Sequence, residues 1–259
     1  MKKYVLLIFL LGILNVSAQK KIEVEMTKLA VESSMQPAFV VEIPQADSKD
    51  AIKMWEDQLV PRNLFDIFKK LPKMEKEGKE KWYIHGVVIS EISPDTLSVF
   101  TRITSLKDRI SFSALFKSEN GFIGSANSNT ALEERTSAYL RAFAVEVYRH
   151  AVQDELDDLN KELDRMEKEY SGLTKDNRKL DRKSSETETS LDTRTNSEET
   201  MNSVMSEDQM KDIEKEMKAL RKFSKKKDKN TLKQEKLTRK IKEKEIEIEE
   251  VQKKLQNIE

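Results

Sequence analysis

The chain has 259 residues, 47 of them basic and 47 acidic, and it has no cysteine. Without cysteine there is no disulfide framework, no thiolate nucleophile, no Cys-ligated zinc and no iron–sulfur cluster, so stability must come from packing. Charge balance gives no global attraction to nucleic acid, and 36% charged residues with six glycines and five prolines favour long solvated helices over a large globule.

The opening MKKYVLLIFLLGILNVSAQ has the parts of a secretory signal: Lys2 and Lys3, an apolar run over residues 4–14, and the small residues Val16, Ser17 and Ala18 before Gln19. Cleavage is expected after Ala18, which makes 1–18 a signal peptide. The apolar run is about half of the ~20 residues a spanning helix needs, so no stable membrane span is expected after cleavage. The mature chain is expected to be exported: periplasmic, envelope-associated or secreted. That location argues further against nucleic acid as a partner.

Residues 19–130 have the pattern of a small α/β domain. Ile22, Val24 and Met26 alternate with charged residues, the period of a half-buried strand, and AFVVEI (38–43) is a short apolar strand ended by Pro44. In ADSKDAIKMWEDQL the period changes: Asp47 or Ser48 can cap a helix whose face carries Ala51, Ile52, Trp55 and Leu59. Leu64, Ile67, Phe68 and Leu71 suggest a second short helix, and PKMEKEGKEK a charged loop. KWYIHGVVISEI, TLSVFTRI and RISFSALF follow as three strands joined by short turns. Such connections imply an antiparallel meander, since parallel neighbours need a long crossover. The start of the next helix is expected to pack on one sheet face. Strand order is not legible.

Residues 131–259 read as helix almost throughout, as a hairpin with a loop near 184–206. In 155–180 the a positions are Leu156, Leu163, Tyr170 and Asn177, with Val152, Leu159, Met166, Leu173 and Leu180 at d. The flanking Glu155, Glu162, Glu169, Asp176, Glu167 and Asp181 are acidic, so a parallel homodimer would set like charges together and is disfavoured. Leu237, Ile241, Ile248, Val251, Leu255 and Ile258 form a second stripe beside Lys226, Lys233 and Lys240. Folding the second arm back predicts Leu156 opposite Leu237 and Tyr170 opposite Phe223. The flanking pairs are then Glu155–Lys240, Glu162–Lys233 and Glu169–Lys226. In that register Leu163 meets Asn230, and SKKKDKN is expected to mark a slipped turn. Arms of about fifty residues would extend on the order of 75 Å. The class is therefore α+β: a largely antiparallel sheet domain followed by a long antiparallel helical hairpin, a coiled coil closed on its own chain.

Chemistry-bearing motifs are sparse. His85 lies mid-strand and His150 on the long helix, in no metal-ligand spacing, and the acids of DELDD (154–158) are accounted for by a coil face. GFIGSANSN (121–129) lacks the ending of a phosphate loop and reads as a linker. The basic runs KKKDK and DKNTLKQEK have the chain's own acidic arm as their simplest recipient. No catalytic residue, cofactor site or metal site is assigned. Trp55 and Trp82 with His85 could line a ligand cleft, or the tryptophans could fill the core.

FVVEIPQADSKDAIKMWEDQL, LRAFAVEVYRHAVQDELDDLNKEL and LTKDNRKL together resemble a group of uncharacterised exported bacterial proteins that join a small α/β domain to a long helical tail. The resemblance implies layout and compartment, and carries over no functional residue. The expectation is a non-enzymatic cell-envelope structural or interaction protein, its hairpin a spacer or docking arm for an envelope protein. Met201, Val204 and Met205, apolar residues near the tip, are the candidate docking cluster. The alternative is a small-ligand or envelope-component binding module acting through Trp55, Trp82 and His85.

Overall fold

The computed structural model describes residues 21–31, 33–60, 72–126, 128–196 and 206–258. The expected signal peptide, the expected helix over 64–71, and Met201, Val204 and Met205 lie outside the described residues. The elements in chain order are β1 (Val24–Val31), β2 (Ser34–Pro44), α1 (Ser48–Leu59), β3 (Glu75–Glu77), β4 (Lys81–Val88), β5 (Thr96–Ser105), β6 (Arg109–Ser118), β7 (Gly121–Phe122), α2 (Thr130–Thr195) and α3 (Glu207–Gln256). They form two compact units, one running to Gln153 and including Leu255 onward, the other Asp154–Lys254.

The first unit is built on a seven-stranded antiparallel sheet of order β1-β2-β6-β5-β4-β3, with β7 paired to β6. Alternation sets its faces. In β5 the side chains of Leu97, Val99, Thr101 and Ile103 are buried and those between them are not, because successive strand residues point to opposite sides. Phe39, Val41 and Ile43 of β2 and Ile110, Phe112, Ala114 and Phe116 of β6 are likewise buried. Against this face lie α1 and the first turns of α2. The Trp55 ring centroid is 4.6 Å from Phe143, 5.2 Å from Phe112 and 5.9 Å from Tyr139, and its Nε1 donates to Thr101 Oγ1 at 2.9 Å. A buried aromatic of this size removes about 150–250 Å² from water, the largest single contribution such a core can hold. Asp47 caps α1 as expected, its carboxylate accepting from Lys49 N at 2.8 Å.

Two details differ from the sequence expectation. The first strand runs on to Val31 and pairs with β2 through a tight turn containing Ser33 at φ 67. PKMEKEGKEK is not wholly a loop: Glu75–Glu77 pairs with β4 across a turn at Gly78, whose φ of 73 suits a residue without Cβ. Gly124 in the expected linker has a packing reason as well. It sits at φ 90, and a Cβ there would stand 2.8 Å from Met26 Sδ and 3.0 Å from Pro37 Cβ.

The second unit is the helical hairpin of α2 and α3, and its register differs from the expected one. Asn230 Nδ2 donates to Asn177 Oδ1 at 3.0 Å, Asn177 Nδ2 to Gln234 Oε1 at 3.0 Å, and Gln234 Nε2 to Thr174 Oγ1 at 2.7 Å. Glu162 pairs with Lys244 at 2.9 Å, Glu155 with Lys254 at 3.1 Å, and Asp181 with Lys227. With Asn177 level with Asn230, Leu156 is level with Val251, Leu159 with Ile248 and Tyr170 with Leu237. This is two heptads from the expected alignment, so the pairs Glu155–Lys240, Glu162–Lys233 and Glu169–Lys226 are not formed. The expected slip at SKKKDKN is absent too, since α3 is continuous from Glu207 to Gln256.

The expected loop near 184–206 is helical as far as Thr195. Its serines and threonines are weak helix formers because their hydroxyls compete for backbone groups. Here Thr187, Thr189, Thr193 and Thr195 direct those hydroxyls to the carbonyl four residues back. α3 then supplies partners across the seam, with Ser190 bonded to Glu216 and Arg194 paired with Asp212 and Glu216. Residues 206–209, SEDQ, start α3 with a capping box: Gln209 N donates to Ser206 Oγ at 3.3 Å and Ser206 N to Gln209 Oε1 at 2.9 Å.

Candidate functional site

Among the described residues the sheet face opposite Trp55 is uncovered and concave, enclosing about 760 Å³ between β1 and the β3–β4 edge. Its floor is a small apolar cluster of Ala38, Leu115 and Phe122 with Leu29, Val31 and Phe100 packed against it. Tyr83 and His85 stand beside that floor, with ring centroids 5.5 Å apart, and His85 is 6.0 Å from Phe100. Register explains the grouping, because Tyr83 pairs with Phe100, and both strands turn alternate residues to this side.

Two polar pairs are fixed there. The Tyr83 hydroxyl donates to Glu75 Oε2 at 2.5 Å, and the carboxylate beside it holds the phenol above its usual pKa, with loss of hydration acting the same way. His85 Nδ1 lies 2.8 Å from Ser98 Oγ. A nucleophile–base pair needs a third group to orient the imidazole and donors to receive an oxyanion. Among the described residues the other contacts of His85 are the rings of Tyr83 and Phe100, and no such third group stands beside its imidazole. Gly86, at φ 77 in the bulge where the β4 register shifts between Ile84 and Val87, ends the regular alternation just past His85.

The three residues of the expected ligand cleft are separated. Trp55 is fully buried on the opposite face, so it cannot line this concavity. Trp82 pairs with Thr101, whose hydroxyl receives the Trp55 N–H, and its side chain therefore belongs to the helix-covered face. It contributes to the rim, with Lys76 Nζ 5.4 Å from its ring centroid. Only His85 faces the concavity directly. Phe100 is the residue the sequence reading missed, whereas Tyr83, two residues from His85, shares its strand face by alternation but was not among the expected cleft residues. A large aromatic interleaved between Val99 and Thr101 was the available signal. His150 is exposed on α2. Among the described residues no three of His, Asp or Glu gather closely enough to hold a metal ion, and no helix is long and apolar enough to cross a membrane.

The hairpin presents a different surface. Its seam positions follow an unbroken 4–3 spacing, Leu156, Leu159, Leu163, Met166, Tyr170, Leu173 and Asn177 on α2 and Asn230, Gln234, Leu237, Ile241, Lys244, Ile248 and Val251 on α3. Leu156, Asn230, Leu237, Ile248 and Val251 are buried. Lys244 enters this stripe by lying between Glu162 and Glu247, which hold its ammonium above the usual pKa, Glu247 foremost. The apolar stripe of each arm packs against the other, with Tyr170 left partly exposed, and the outward surface is mostly charged apart from scattered apolar residues such as Leu232 and Ile246. Comparison with protein-family models, with curated proteins and with solved structures returns no match.

Proposed function

We propose that the protein is a non-enzymatic structural or interaction protein of the cell envelope, in which the helical hairpin serves as a spacer or docking arm. The observation that carries this reading is the matched polar layer of Asn177, Asn230, Gln234 and Thr174. A seam whose buried amides find partners within the chain has no need of a second copy, so the arm offers outer surfaces to other molecules. Export of the mature chain rests on the signal-like first 18 residues, and the layout agrees with the group of exported bacterial proteins it resembles. Crosslinking with mass spectrometry on the dilute mature protein tests it. Links between residues such as Lys161 and Lys242 within one chain are expected, at a mass that does not change with concentration. A concentration-dependent dimer with links between like positions would refute it. Replacing Met201, Val204 and Met205 by serine tests the tip as the docking point, through loss of crosslinked partners.

A second reading, favoured by the concavity over Phe100 and Leu115, is binding of a small ligand or envelope component by the open sheet face around Tyr83 and His85. It is tested by ligand-induced shifts of the His85 ring resonances, His150 serving as an internal control.

A further inference from the structure

The register that closes the hairpin leaves its basic runs without the acidic partner the sequence offered. Lys226 and Lys233 do not meet Glu169 and Glu162. With Asn177 level with Asn230, residues 221–233 lie instead beside residues 174–186, which are also basic. These thirteen-residue stretches hold seven basic residues against one acidic on α3, and five against three on α2, a net charge of +8. At 1.5 Å per residue the belt is about 18 Å long. It is also local. The level stretches nearer the sheet domain, 161–173 and 234–246, hold eight basic against seven acidic residues, and those nearer the tip, 187–195 and 212–220, three against five.

Only Lys227 and Arg182 of the belt are engaged in ion pairs, with Asp181 and Glu186. Lys175, Arg178, Lys179, Lys222, Lys225 and Lys226 are exposed, and no ion pair of theirs is formed among the described residues. Self-repulsion of this kind costs stability, and a polyanion relieves it by releasing its own counterions.

We infer that the middle of the hairpin is a docking belt for a flexible, linear polyanion, an acidic polysaccharide being the chemistry that fits. The inference rests on the docking-arm reading and names its partner. By heptad position the residues turned furthest from the seam, Lys175 and Arg182 on α2 and Arg221 and Lys225 on α3, lie on opposite edges of the hairpin, with further lysines of both helices on the side between them. A planar anionic membrane, or a duplex with a persistence length of about 50 nm, would engage one side of the belt. A flexible chain carrying a carboxylate or sulfate on each unit can cross the arm and meet both.

Heparin serves as the probe, with the mature protein titrated calorimetrically from about 50 mM salt upward. Expected is binding whose log K falls linearly with log salt. It should weaken at least about tenfold in K222Q/K225Q/K226Q and stay unchanged in K211Q/K215Q/K218Q. The second set removes as much charge, from lysines paired within their own helix. Circular dichroism of both variants checks that the helices persist. Absence of heparin binding at the lowest salt, equal loss in both variants, or tighter binding to phosphatidylglycerol vesicles or duplex DNA overturns the inference. Heparin failure with the intrachain crosslinks intact removes the belt and leaves the docking-arm reading to the tip.

Discussion

Replacing Asn177 by leucine isolates what fixes the hairpin register. Asn177 makes two of the three amide hydrogen bonds in the polar layer, so the substitution strands the Nδ2 of Asn230, which is 7% exposed, and one oxygen of Gln234. An unmet buried polar group costs about 1–3 kcal/mol, and Gln234 keeps some access to water, so a net loss of about 2 kcal/mol is expected. The added apolar contact of leucine offsets only part of this, opposite an asparagine. The double replacement Asn177→Leu/Asn230→Leu removes the buried Asn230 demand with its partner and leaves only the half-buried Gln234 oxygen, which water can meet, so it should recover most of the parent's stability. It should also lose alignment. The two-heptad alternative, in which Leu156 meets Leu237, is then no longer penalised by burying Asn230 against Leu163. Each flanking ion pair that alternative gains contributes only a few tenths of a kcal/mol, which is why matched amides outweigh it in the native chain. Because the chain has no native cysteine, spin labels at Lys168→Cys and Arg239→Cys report the alignment directly. These sites are level in the native register and offset axially by about 21 Å in the other. One distance population is expected for the parent and two for the double variant. Unchanged stability of the single variant, together with a single native distance in the double, would refute the polar layer as the register lock.

Further outcomes follow from the sheet domain and the caps. Trp55→Phe should lower stability by about 2–4 kcal/mol in denaturant unfolding, because it opens a void among Phe112, Tyr139 and Phe143 and leaves the buried Thr101 hydroxyl without its donor. Burial pushes the Tyr139 phenol up to about 12, the carboxylate of Glu91 acting in the same direction and a hydrogen bond with Gln58 opposing. A folded-state pKa above the unfolded value near 10 means this stability is complete below pH 10 and declines as pH rises toward 12. The loss amounts to roughly 2–3 kcal/mol, and Tyr139→Phe should flatten the pH profile of the melting temperature in that window. Ser206→Ala should cost about 1 kcal/mol and speed amide exchange in the first turn of α3, leaving the sheet unaffected. Glu155→Gln, which removes a partly exposed ion pair with Lys254, should change stability by less than about 1 kcal/mol.

Much of the fold was legible because it rests on local periodicity. Alternation in TLSVFTRI and RISFSALF, with short turns between, required an antiparallel meander. Asp47 before an amphipathic stretch required a capped helix, and both appear. The loop expected at 184–206 shows the limit of that reasoning. Ser and Thr propensity argued against helix, and partners on α3 overrode it. The candidate site was less legible. His85 was singled out, but which aromatics joined it depended on Tyr83 pairing with Phe100, and Trp55 went to the other face.

The sequence by itself determined the two characters of this chain, a sheet domain and a self-complementary pair of heptad arms, because burial of an apolar face is dictated by its period. It also disfavoured a parallel homodimer, since the acidic flanks travel with the stripe. Only the tertiary structure decided which of two heptad-compatible registers forms. Apolar layers repeat every seven residues and cannot tell one alignment from another two heptads away. A single buried amide layer can, since an unmatched asparagine costs more than several exposed ion pairs return. That choice set the basic runs beside each other and left their charge facing outward.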